Sequence, residues 1–217
     1  MERDMKPLAL LTYLLLALLL YILVLARVLR RFFKMPCPHQ AAYLIENPVR
    51  KVFFGPEKIL KRAGVLPGMK VLELGPGGGF LTVEAAKMVG EEGEVHCIDI
   101  QPEMIKILMK KVKKMGLCEK VNAIVGDAAN LPYLSGSFDL VFMVAVLGEI
   151  FDQKGAINEI RRVLREGGIL SITEILLDPD YALARTVRRL CTESGFEHLD
   201  TKGNVFCYTA NFIKKGF

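Results

Sequence analysis

The sequence lacks the cysteine and histidine spacings that hold a metal ion. Its five cysteines include no CxxC pair, and its three histidines (His39, His96 and His198) lie far apart along the chain. An odd number of scattered cysteines is typical of reduced cytosolic thiols rather than of a disulfide framework. We therefore expect no metal site, and we expect Cys97 and Cys207 to lie in strand cores.

Basic charge is scarce where a nucleic-acid-binding protein needs it. Residues 1–70 carry 12 Lys/Arg against 4 Asp/Glu, whereas residues 71–217 carry 17 against 20. A domain that binds nucleic acid usually presents its cations on the folded part, and here the folded part is mildly acidic. The distribution argues against nucleic acid as a partner and fits a basic collar that faces anionic lipid head groups.

Charge is absent from the stretch between Pro7 and Ala26. A helix of this length spans about 30 Å, the thickness of a bilayer core. A secretory signal peptide has a shorter apolar region, and a buried soluble helix is seldom apolar on every face. The stretch and the cations that follow it predict a single-pass transmembrane helix over residues 7–29, after a short tail of residues 1–6, with the rest of the chain in the cytoplasm. These cations are Arg27, Arg30, Arg31 and Lys34.

Regular patterns are sparse over residues 30–62, a basic amphipathic connector interrupted by four prolines. A short helix is predicted over Lys58–Ala63, ending near Gly64. One interpretation places the connector at the level of the lipid head groups; the other makes it a helical cap over the following domain. Both use the same amphipathic pattern, so both stay open.

Residues 63–217 alternate between strand and helix patterns, which predicts a doubly wound, Rossmann-like α/β sheet with helices on both faces. A hairpin near the end, with its turn at Lys202-Gly203-Asn204, adds one antiparallel strand. The predicted strands are Lys70–Leu74, Glu94–Ile100, Val121–Val125, Phe138–Val144, Ile169–Ile175, Phe196–Thr201 and Val205–Ile213. The predicted helices between them are Phe80–Val89, Pro102–Met115, Lys154–Leu164 and Tyr181–Ser194.

A glycine-rich turn follows the first of these strands, in the run Val71-Leu72-Glu73-Leu74-Gly75-Pro76-Gly77-Gly78-Gly79-Phe80. Glycines allow positive φ and let a ligand approach the backbone closely. The spacing is G-x-G-x-G and not the G-x-G-x-x-G of dinucleotide-binding enzymes, since Phe80 occupies the third glycine position. No phosphate-binding lysine follows, so the turn is not a P-loop. An ordinary tight turn is the weaker interpretation.

Two carboxylates end the next two strands. Asp99 can accept both hydroxyls of a ribose, a role that NAD enzymes share. Asp127, in Gly126-Asp127-Ala128, can accept from an adenine amino group, or it can simply cap a turn. Two longer motifs follow, Ser137–Ile150 and Glu159–Leu170.

In this order the motifs resemble those of class I S-adenosylmethionine (SAM)-dependent methyltransferases, and within them the branch that includes the ubiquinone/menaquinone ring methylases. The resemblance covers residues 60–175 well and residues 176–217 more loosely. It implies a seven-stranded sheet whose last strand is antiparallel, and SAM as the cofactor. It also implies a role for each motif: Glu73 and Gly75, Gly77 and Gly79 around the methionine part of SAM, Asp99 on the ribose with Ile100 beside the adenine, Asp127 and Ala128 on the adenine edge, and Met143 and Val144 as the pocket floor.

The sequence departs from this family pattern in two places. Relatives with large lipid or quinone substrates often carry a long insert after the fifth strand, where only Leu176–Asp180 stands here. The ring methylases often place a His before the Glu that follows strand four, and here Gly148 precedes Glu149. Without that insert, the lid over the substrate must come from the connector or from the membrane. The second departure argues against a quinone acceptor.

The chemistry of methyl transfer requires alignment and exclusion of water, and it needs a base only for a protonated acceptor. Glu149 is the candidate base or amine partner, because it follows the carboxyl end of strand four; a first-turn helix acid is the alternative. His39 and Tyr43 of the connector are candidates for contacting the acceptor. We expect a membrane-anchored methyltransferase of a lipophilic or membrane-interface acceptor such as a phospholipid amine or a quinone-type ring. A tethered SAM-binding sensor without turnover, and a methyltransferase of a soluble small molecule or thiol, remain as alternatives.

Overall fold

One seven-stranded sheet forms the centre of the protein. In the computed structural model, which describes residues 5–32 and 55–216, its strands are β1 (Lys70–Leu74), β2 (Glu94–Asp99), β3 (Val121–Val125), β4 (Phe138–Val144), β5 (Leu164–Ile175), β6 (Phe196–Asn204) and β7 (Cys207–Lys214). The strand order is β3-β2-β1-β4-β5-β7-β6, and only β7 runs antiparallel to its neighbours. The predicted fold class, seven strands with one of them antiparallel, is confirmed.

Helices cover both faces of this sheet. They are α2 (Pro56–Ala63), α3 (Thr82–Met88), α4 (Pro102–Lys114), α5 (Gln153–Val163) and α6 (Ala184–Glu193), and they follow a separate N-terminal helix, α1 (Met5–Phe32). One apolar core joins the sheet to α2, α3 and α4, and a second joins its other face to α5 and α6. Each amphipathic helix therefore buries one side against the sheet, as the alternating pattern predicts.

Local sequence signals explain where several helices begin and end. Pro56 and Pro102 occupy first-turn positions, where a missing N–H costs nothing. Gly64 ends α2 in the left-handed conformation, with φ of 89°. The side chain of Asp152 caps α5 by accepting a hydrogen bond of 2.8 Å from the N–H of Gly155.

The described part of the connector acts as a helical cap. Ile59 and Leu60 of α2 are buried in the core, and α2 contacts β5, β7 and α3. One side of this segment therefore acts as the cap, while Lys58 and Lys61 on its other side are exposed. Residues 33–54 lie outside the described residues, and so do the predicted acceptor-side residues His39 and Tyr43.

The C-terminal hairpin turns later than predicted. Strand β6 continues through Lys202-Gly203-Asn204, and the turn is made by Val205 and Phe206. The prediction of a turn at residues 202–204 is wrong because the side chain of Asn204 accepts hydrogen bonds from the N–H groups of Phe206 and Cys207, at 3.0 and 3.2 Å. Asn204 thus starts the turn rather than ending it.

Two further boundaries within the sheet and its helices differ from the sequence prediction by three residues or more. Strand β5 begins at Leu164, which pairs with Phe138 before the register shifts, and not at Ile169. Helix α6 begins at Ala184 instead of Tyr181, because Asp178 bends the chain by accepting a hydrogen bond from the N–H of Asp180. The connection between β5 and α6 is correspondingly longer than predicted and runs to Leu183.

The N-terminal helix differs from the predicted membrane span. A search of the described residues finds no helix whose length and apolar content would let it cross a membrane. The transmembrane helix predicted over residues 7–29 is therefore not supported. The basic residues after this stretch were predicted to face lipid head groups. In the structure the side chains of Arg27 and Arg30, near the end of α1, donate hydrogen bonds to the folded domain.

Candidate functional site

A cavity of about 360 Å³ lies at the carboxyl edge of the sheet. The chain crosses from one side of β1 to the other between β3 and β4, and open α/β sheets bind ligands at such a switch point. The volume falls within the range of about 300–1,000 Å³ usual for small-molecule sites. The predicted site residues that line it are Glu73, Gly75, Gly77, Asp99, Ile100, Asp127, Ala128, Val144 and Glu149.

The glycines of the turn after β1 have two kinds of surroundings: some face the cavity, and others let a neighbouring segment pack closely against the turn. Gly77 has φ of 55°, and a Cβ placed on it would meet nothing within 4 Å. Gly75 has φ of 65°, and a Cβ there would lie 2.6 Å from a methyl group of Val146. Gly77 thus exposes bare backbone to the cavity, while Gly75 lets the β4 loop approach the turn.

Gly79 lies outside the cavity lining, although it was predicted to contact the cofactor. Its φ is 83°, and a Cβ would lie 2.5 Å from Cδ1 of Leu108 on α4. The third glycine of the motif therefore allows close packing of α4 on the turn. The spacing in the sequence does not distinguish this task from ligand contact.

Glu73, the second-last residue of β1, is a buried carboxyl group that is 2% exposed. Its Oε2 accepts a hydrogen bond of 2.6 Å from the hydroxyl of Thr82 in α3. Burial raises the pKa of Glu73 to about 7, against the opposing effects of Thr82 and the Cys97 thiol. A carboxyl group poised near neutrality on a cavity wall can take up negative charge when a cationic ligand arrives.

Asp99 and Ile100 lie together at the end of β2. Asp99 is 8% exposed, and burial raises its pKa, while hydrogen bonds from the backbone of Gln101 and Gly77 oppose that shift. The bond from Gln101 is 2.9 Å long and fixes Oδ1. Ile100 is 56% exposed at the cavity and offers an apolar face beside the carboxylate.

Asp127 caps a turn and also lies on the cavity wall. Its Oδ1 accepts a hydrogen bond of 2.9 Å from the N–H of Ala129, so it caps a turn. It also lines the cavity, together with Ala128. One carboxylate oxygen thus holds the loop, and the other lies on a side chain that is exposed at the cavity.

The end of β4 contains a backbone feature that the sequence did not reveal. Ala145 has φ of 55° and is the non-glycine residue with positive φ among those described. It lines the cavity, and its N–H donates to the carbonyl oxygen of Thr173 at 2.9 Å. Strain of this kind occurs at functional sites where the surroundings impose it. Val144 lines the cavity beside it, whereas Met143 is buried in the core and absent from the lining.

Glu149 lies at the mouth of the cavity in a short 3₁₀ helix, Leu147–Glu149, and not in the first turn of a longer helix. Its Oε1 is 3.5 Å from Nη2 of Arg30. The same guanidinium bonds to Asp180, with 2.7 Å between Nε and Oδ2. All three side chains are mostly buried: Glu149 is 17% exposed, Arg30 is 18% exposed and Asp180 is 9% exposed. Arg30 thus contacts Glu149 of the cavity lining without lining the cavity itself.

The chain matches the family model described as "Methyltransferase domain" over residues 66–208. That match covers more than half of the chain. This protein belongs to the methyltransferase domain family. The expectation of a class I SAM-dependent methyltransferase, with SAM as its cofactor, is confirmed.

Curated relatives of this methyltransferase include the ubiquinone/menaquinone biosynthesis C-methyltransferase UbiE of Shewanella sediminis, 37% identical over 139 residues, which are 62% of this chain and 55% of the relative. The UbiE of Shewanella sp. strain ANA-3 is 35% identical over 152 residues, 68% of this chain and 59% of the relative. The chain therefore spans a little over half the length of the curated relatives it matches.

A solved structure of similar fold is the SAM-dependent methyltransferase of Aquifex aeolicus, with a TM-score of 0.76 and 26% identity, covering 82% of this chain and 99% of the other. A second is phosphoethanolamine N-methyltransferase 2 of Haemonchus contortus in complex with SAM. Its TM-score is 0.64 at 18% identity, with coverage of 76% and 53%, so it supports the fold alone.

The motif-based prediction missed the residues that other parts of the chain bring to the cavity. Arg30 carries no signal in the sequence, since its cationic neighbours suggest a lipid flank and its partners are 119 and 150 residues away. Phe151 lines the cavity while 89% exposed, and Ile59 lines it from α2. The position of Phe151, two residues after the predicted site residue Glu149, was its one available signal in the sequence.

Proposed function

We propose that this methyltransferase moves the methyl group of SAM to a lipophilic small-molecule acceptor, and that a quinone-type ring is the acceptor class to test first. The observation that carries the proposal is the single cavity wall formed by Glu73, Gly77 and Asp99 with Glu149 at its mouth. The UbiE relatives, which are named for ring C-methylation, support the acceptor class. Gly148 in place of a histidine is the feature that opposes it.

The cavity suits SAM at each of its parts. Open space over Gly77 leaves room for the methionine chain, and the Glu73 carboxyl can face its ammonium group. The Asp99 carboxylate can accept from ribose hydroxyls, and Ile100 can lie against the adenine. Asp127 and the backbone of Ala128 suit the adenine edge. We assign Glu73, Gly75, Gly77, Asp99, Ile100, Asp127, Ala128 and Val144 to SAM on this basis.

Bound SAM supplies a methyl group that its sulfonium already activates. The residues of the chain must align the acceptor with that methyl group and keep water away, which the enclosed wall from Val144 to Val146 favours. In ring methylation the acceptor carbon gains the methyl group and loses a proton. In this proposal Glu149 takes that proton, and Arg30, whose Nη2 lies 3.5 Å from Oε1, holds the carboxylate in position.

The exposed surface of α1 supports a place for this enzyme at a membrane. The helix has 28 residues and is about 42 Å long. Large apolar side chains are exposed along it: Leu10, Leu11, Tyr13, Leu14, Leu15, Leu18, Leu20, Tyr21, Val24, Leu25, Val28 and Leu29. Because such a surface is costly in water, we propose that a lipid bilayer covers it and that the catalytic domain faces the cytoplasm.

Membrane association has a direct test. The full chain should sediment with membranes in low-salt buffer, and protease added outside intact spheroplasts should leave residues 63–217 uncut. Recovery of the full chain in the soluble fraction, or digestion from outside, would contradict the membrane location without affecting the assignment of SAM.

The decisive experiment measures methyl transfer by the full chain. Liposomes that contain the protein receive labelled SAM together with a total lipid extract or with a hydroxylated naphthalene or benzene ring bearing an isoprenoid tail. We expect label in the organic phase, from the ring acceptor above all, and much less of it with Asp99→Ala at limiting SAM. Label that enters only water-soluble acceptors would establish a soluble substrate, and SAM binding without any label would establish a sensor.

A further inference from the structure

The turn of the C-terminal hairpin presents two apolar side chains to the surroundings. Val205 is 57% exposed and Phe206 is 65% exposed. The turn is well ordered by hydrogen bonds, because the Asn204 side chain accepts from the N–H groups of the next residues. A fixed loop that holds a phenyl ring and an isopropyl group outward has no role in the core of the domain.

This turn lies at the edge of the sheet that carries the cavity. The carbonyl oxygen of Phe206 accepts from the N–H of Leu176 at 2.9 Å, and that of Val205 accepts from the hydroxyl of Tyr181 at 2.9 Å. Leu177, next along the chain, is 66% exposed. The side chain of Arg27 donates to the carbonyl of Leu176, so the end of α1 reaches the same place.

Cationic side chains border the apolar turn on one side. A shallow groove between α2 and β6 is lined by Lys58, Lys61, Arg62 and Lys202, with Glu57 as its one acidic wall residue. Arg62 reaches the hairpin itself, since its Nη1 lies 3.1 Å from where a Cβ of Gly203 would be. Lys61 pairs with Glu57 at 2.6 Å and Lys202 with Asp200 at 3.1 Å, so the four cations and two carboxylates leave an excess of positive charge beside three exposed apolar side chains.

We propose that this docking edge, formed by Leu177, Val205 and Phe206 with Lys58, Lys61, Arg62 and Lys202, binds the surface of an anionic lipid bilayer. The apolar side chains enter the acyl boundary and the cations face lipid phosphates, a combination typical of interfacial binding. The charge pattern favours anionic lipid as the occupant. Bilayer contact at this edge would bring the cavity mouth to the lipid, so the inference rests on the proposed lipophilic acceptor and deepens it.

The natural chain contains no tryptophan, which gives the test a clean optical reporter. Phe206→Trp places a single indole in the docking edge. Leu134→Trp is the matched control, because Leu134 is 83% exposed but lies before β4, at the opposite edge of the sheet. Each full-length variant is mixed with vesicles of phosphatidylglycerol and phosphatidylcholine whose acyl chains are brominated.

We expect the emission of the Phe206→Trp variant to shift to the blue and to lose intensity with brominated chains, while the Leu134→Trp emission changes little. Lys58→Glu combined with Lys202→Glu, or vesicles of phosphatidylcholine alone, should reduce the quenching. Equal quenching of the two reporters, or none in either, would overturn the docking edge. A blue shift that needs no vesicles and grows with protein concentration would assign the surface to a second copy of the chain instead.

Binding of SAM to the same variants separates this inference from the proposed function. Neither reporter position lines the cavity, so calorimetric SAM binding should be unchanged in both. Intact SAM binding with no quenching would reject the docking edge alone. Quenching together with absent methyl transfer to lipid would instead leave the docking edge standing and reject the acceptor.

Discussion

Arg30 and Asp180, 150 residues apart in the chain, are joined by a hydrogen bond of 2.7 Å between Nε and Oδ2. The bond ties the last turns of α1 to the connection between β5 and α6. The same guanidinium also approaches Glu149, so the end of the N-terminal helix contacts a residue of the cavity lining. Arg30 is the first residue of the connector, residues 30–62, to which the sequence assigned the lid as one of two alternatives.

Replacement of Arg30 should therefore impair acceptor handling more than SAM binding. In Arg30→Ala, Asp180 and Glu149 lose their shared cation, and we expect a loss of about 1–3 kcal/mol of stability at the mouth. Arg30→Lys keeps the charge but cannot span both carboxylates, so it should be intermediate. Steady-state kinetics check this as a raised KM for the acceptor at unchanged SAM affinity.

Arg188→Ala is the matched control for that experiment, since Arg188 is exposed on α6 and outside the cavity lining. If it impairs the acceptor KM as much as Arg30→Ala does, the effect reflects lost surface charge and the positioning role of Arg30 is refuted.

Asp99 should carry a large share of SAM affinity. Asp99→Ala removes charge-assisted hydrogen bonds to the ligand and should weaken binding by about 1.5–3 kcal/mol, measured by calorimetry. Asp99→Asn retains the shape of the side chain, so its SAM affinity should lie between those of the wild-type protein and Asp99→Ala. Unchanged affinity in Asp99→Ala would remove this residue from the SAM site.

Gly77 and Gly79 should respond differently to the same substitution. Both have positive φ, so alanine costs roughly 1 kcal/mol of stability at each. Gly77→Ala adds a methyl group over the cavity and should abolish SAM binding while the protein stays folded. Gly79→Ala drives a methyl group into Leu108 and should cost a further ~1–3 kcal/mol of stability.

Thermal unfolding and SAM titration of both variants separate these effects. The double variant Gly79→Ala with Leu108→Ala should relieve the collision but leave the backbone strain. Were Gly79→Ala to lose SAM binding at full stability, the third glycine would belong to the ligand site after all.

Stability of the SAM-free protein should fall as the pH rises through neutrality. Burial raises the pKa of Glu73 from 4.5 to about 7 and that of Glu174 to about 8, so the folded state holds protons that the unfolded chain has released. Each group therefore makes its full contribution to stability below pH 4.5. That contribution is lost as the pH rises from 4.5 to the pKa of the group in the folded protein. For Glu73 the loss is about 3 kcal/mol, with a similar order for Glu174.

Urea unfolding at pH 5.5 and pH 8 tests this, with Glu73→Gln and Glu174→Gln as a matched pair. Both substitutions should flatten the pH dependence. Only Glu73→Gln should also weaken SAM binding, by about tenfold, since only Glu73 lines the cavity. A pH-independent wild-type protein would show that neither carboxyl group stays buried.

The sequence alone predicted the location of those parts of the site that consist of a strand and the loop directly after it. Asp99 is the last residue of β2, Asp127 comes two residues after β3, and the glycine turn is contiguous, so the predicted strands placed all three at one edge of the sheet. Gly79 shows the limit of that reasoning, because its neighbour Leu108 lies on another helix and no spacing reveals the contact. Glu149 was placed correctly at the mouth, but its partner was not foreseen.

Features that depend on distant segments escaped prediction for the same physical reason. The left-handed Ala145 has no local signal, since alanine is not a residue that favours positive φ. The hairpin turn was misplaced because Asn204 can end or begin a turn, and only its bonds to Phe206 and Cys207 decide which. The role of Arg30 required the fold to bring two carboxylates to one helix end.

The short connection from Leu176 to Leu183 is held from outside by the hairpin and by α1. Residues 66–208 contain the family-matched core, whereas Arg27 and Arg30 come from a preceding helix. Removal of that helix would therefore take away one of the two outer supports of the connection and leave every residue of the cavity lining in place.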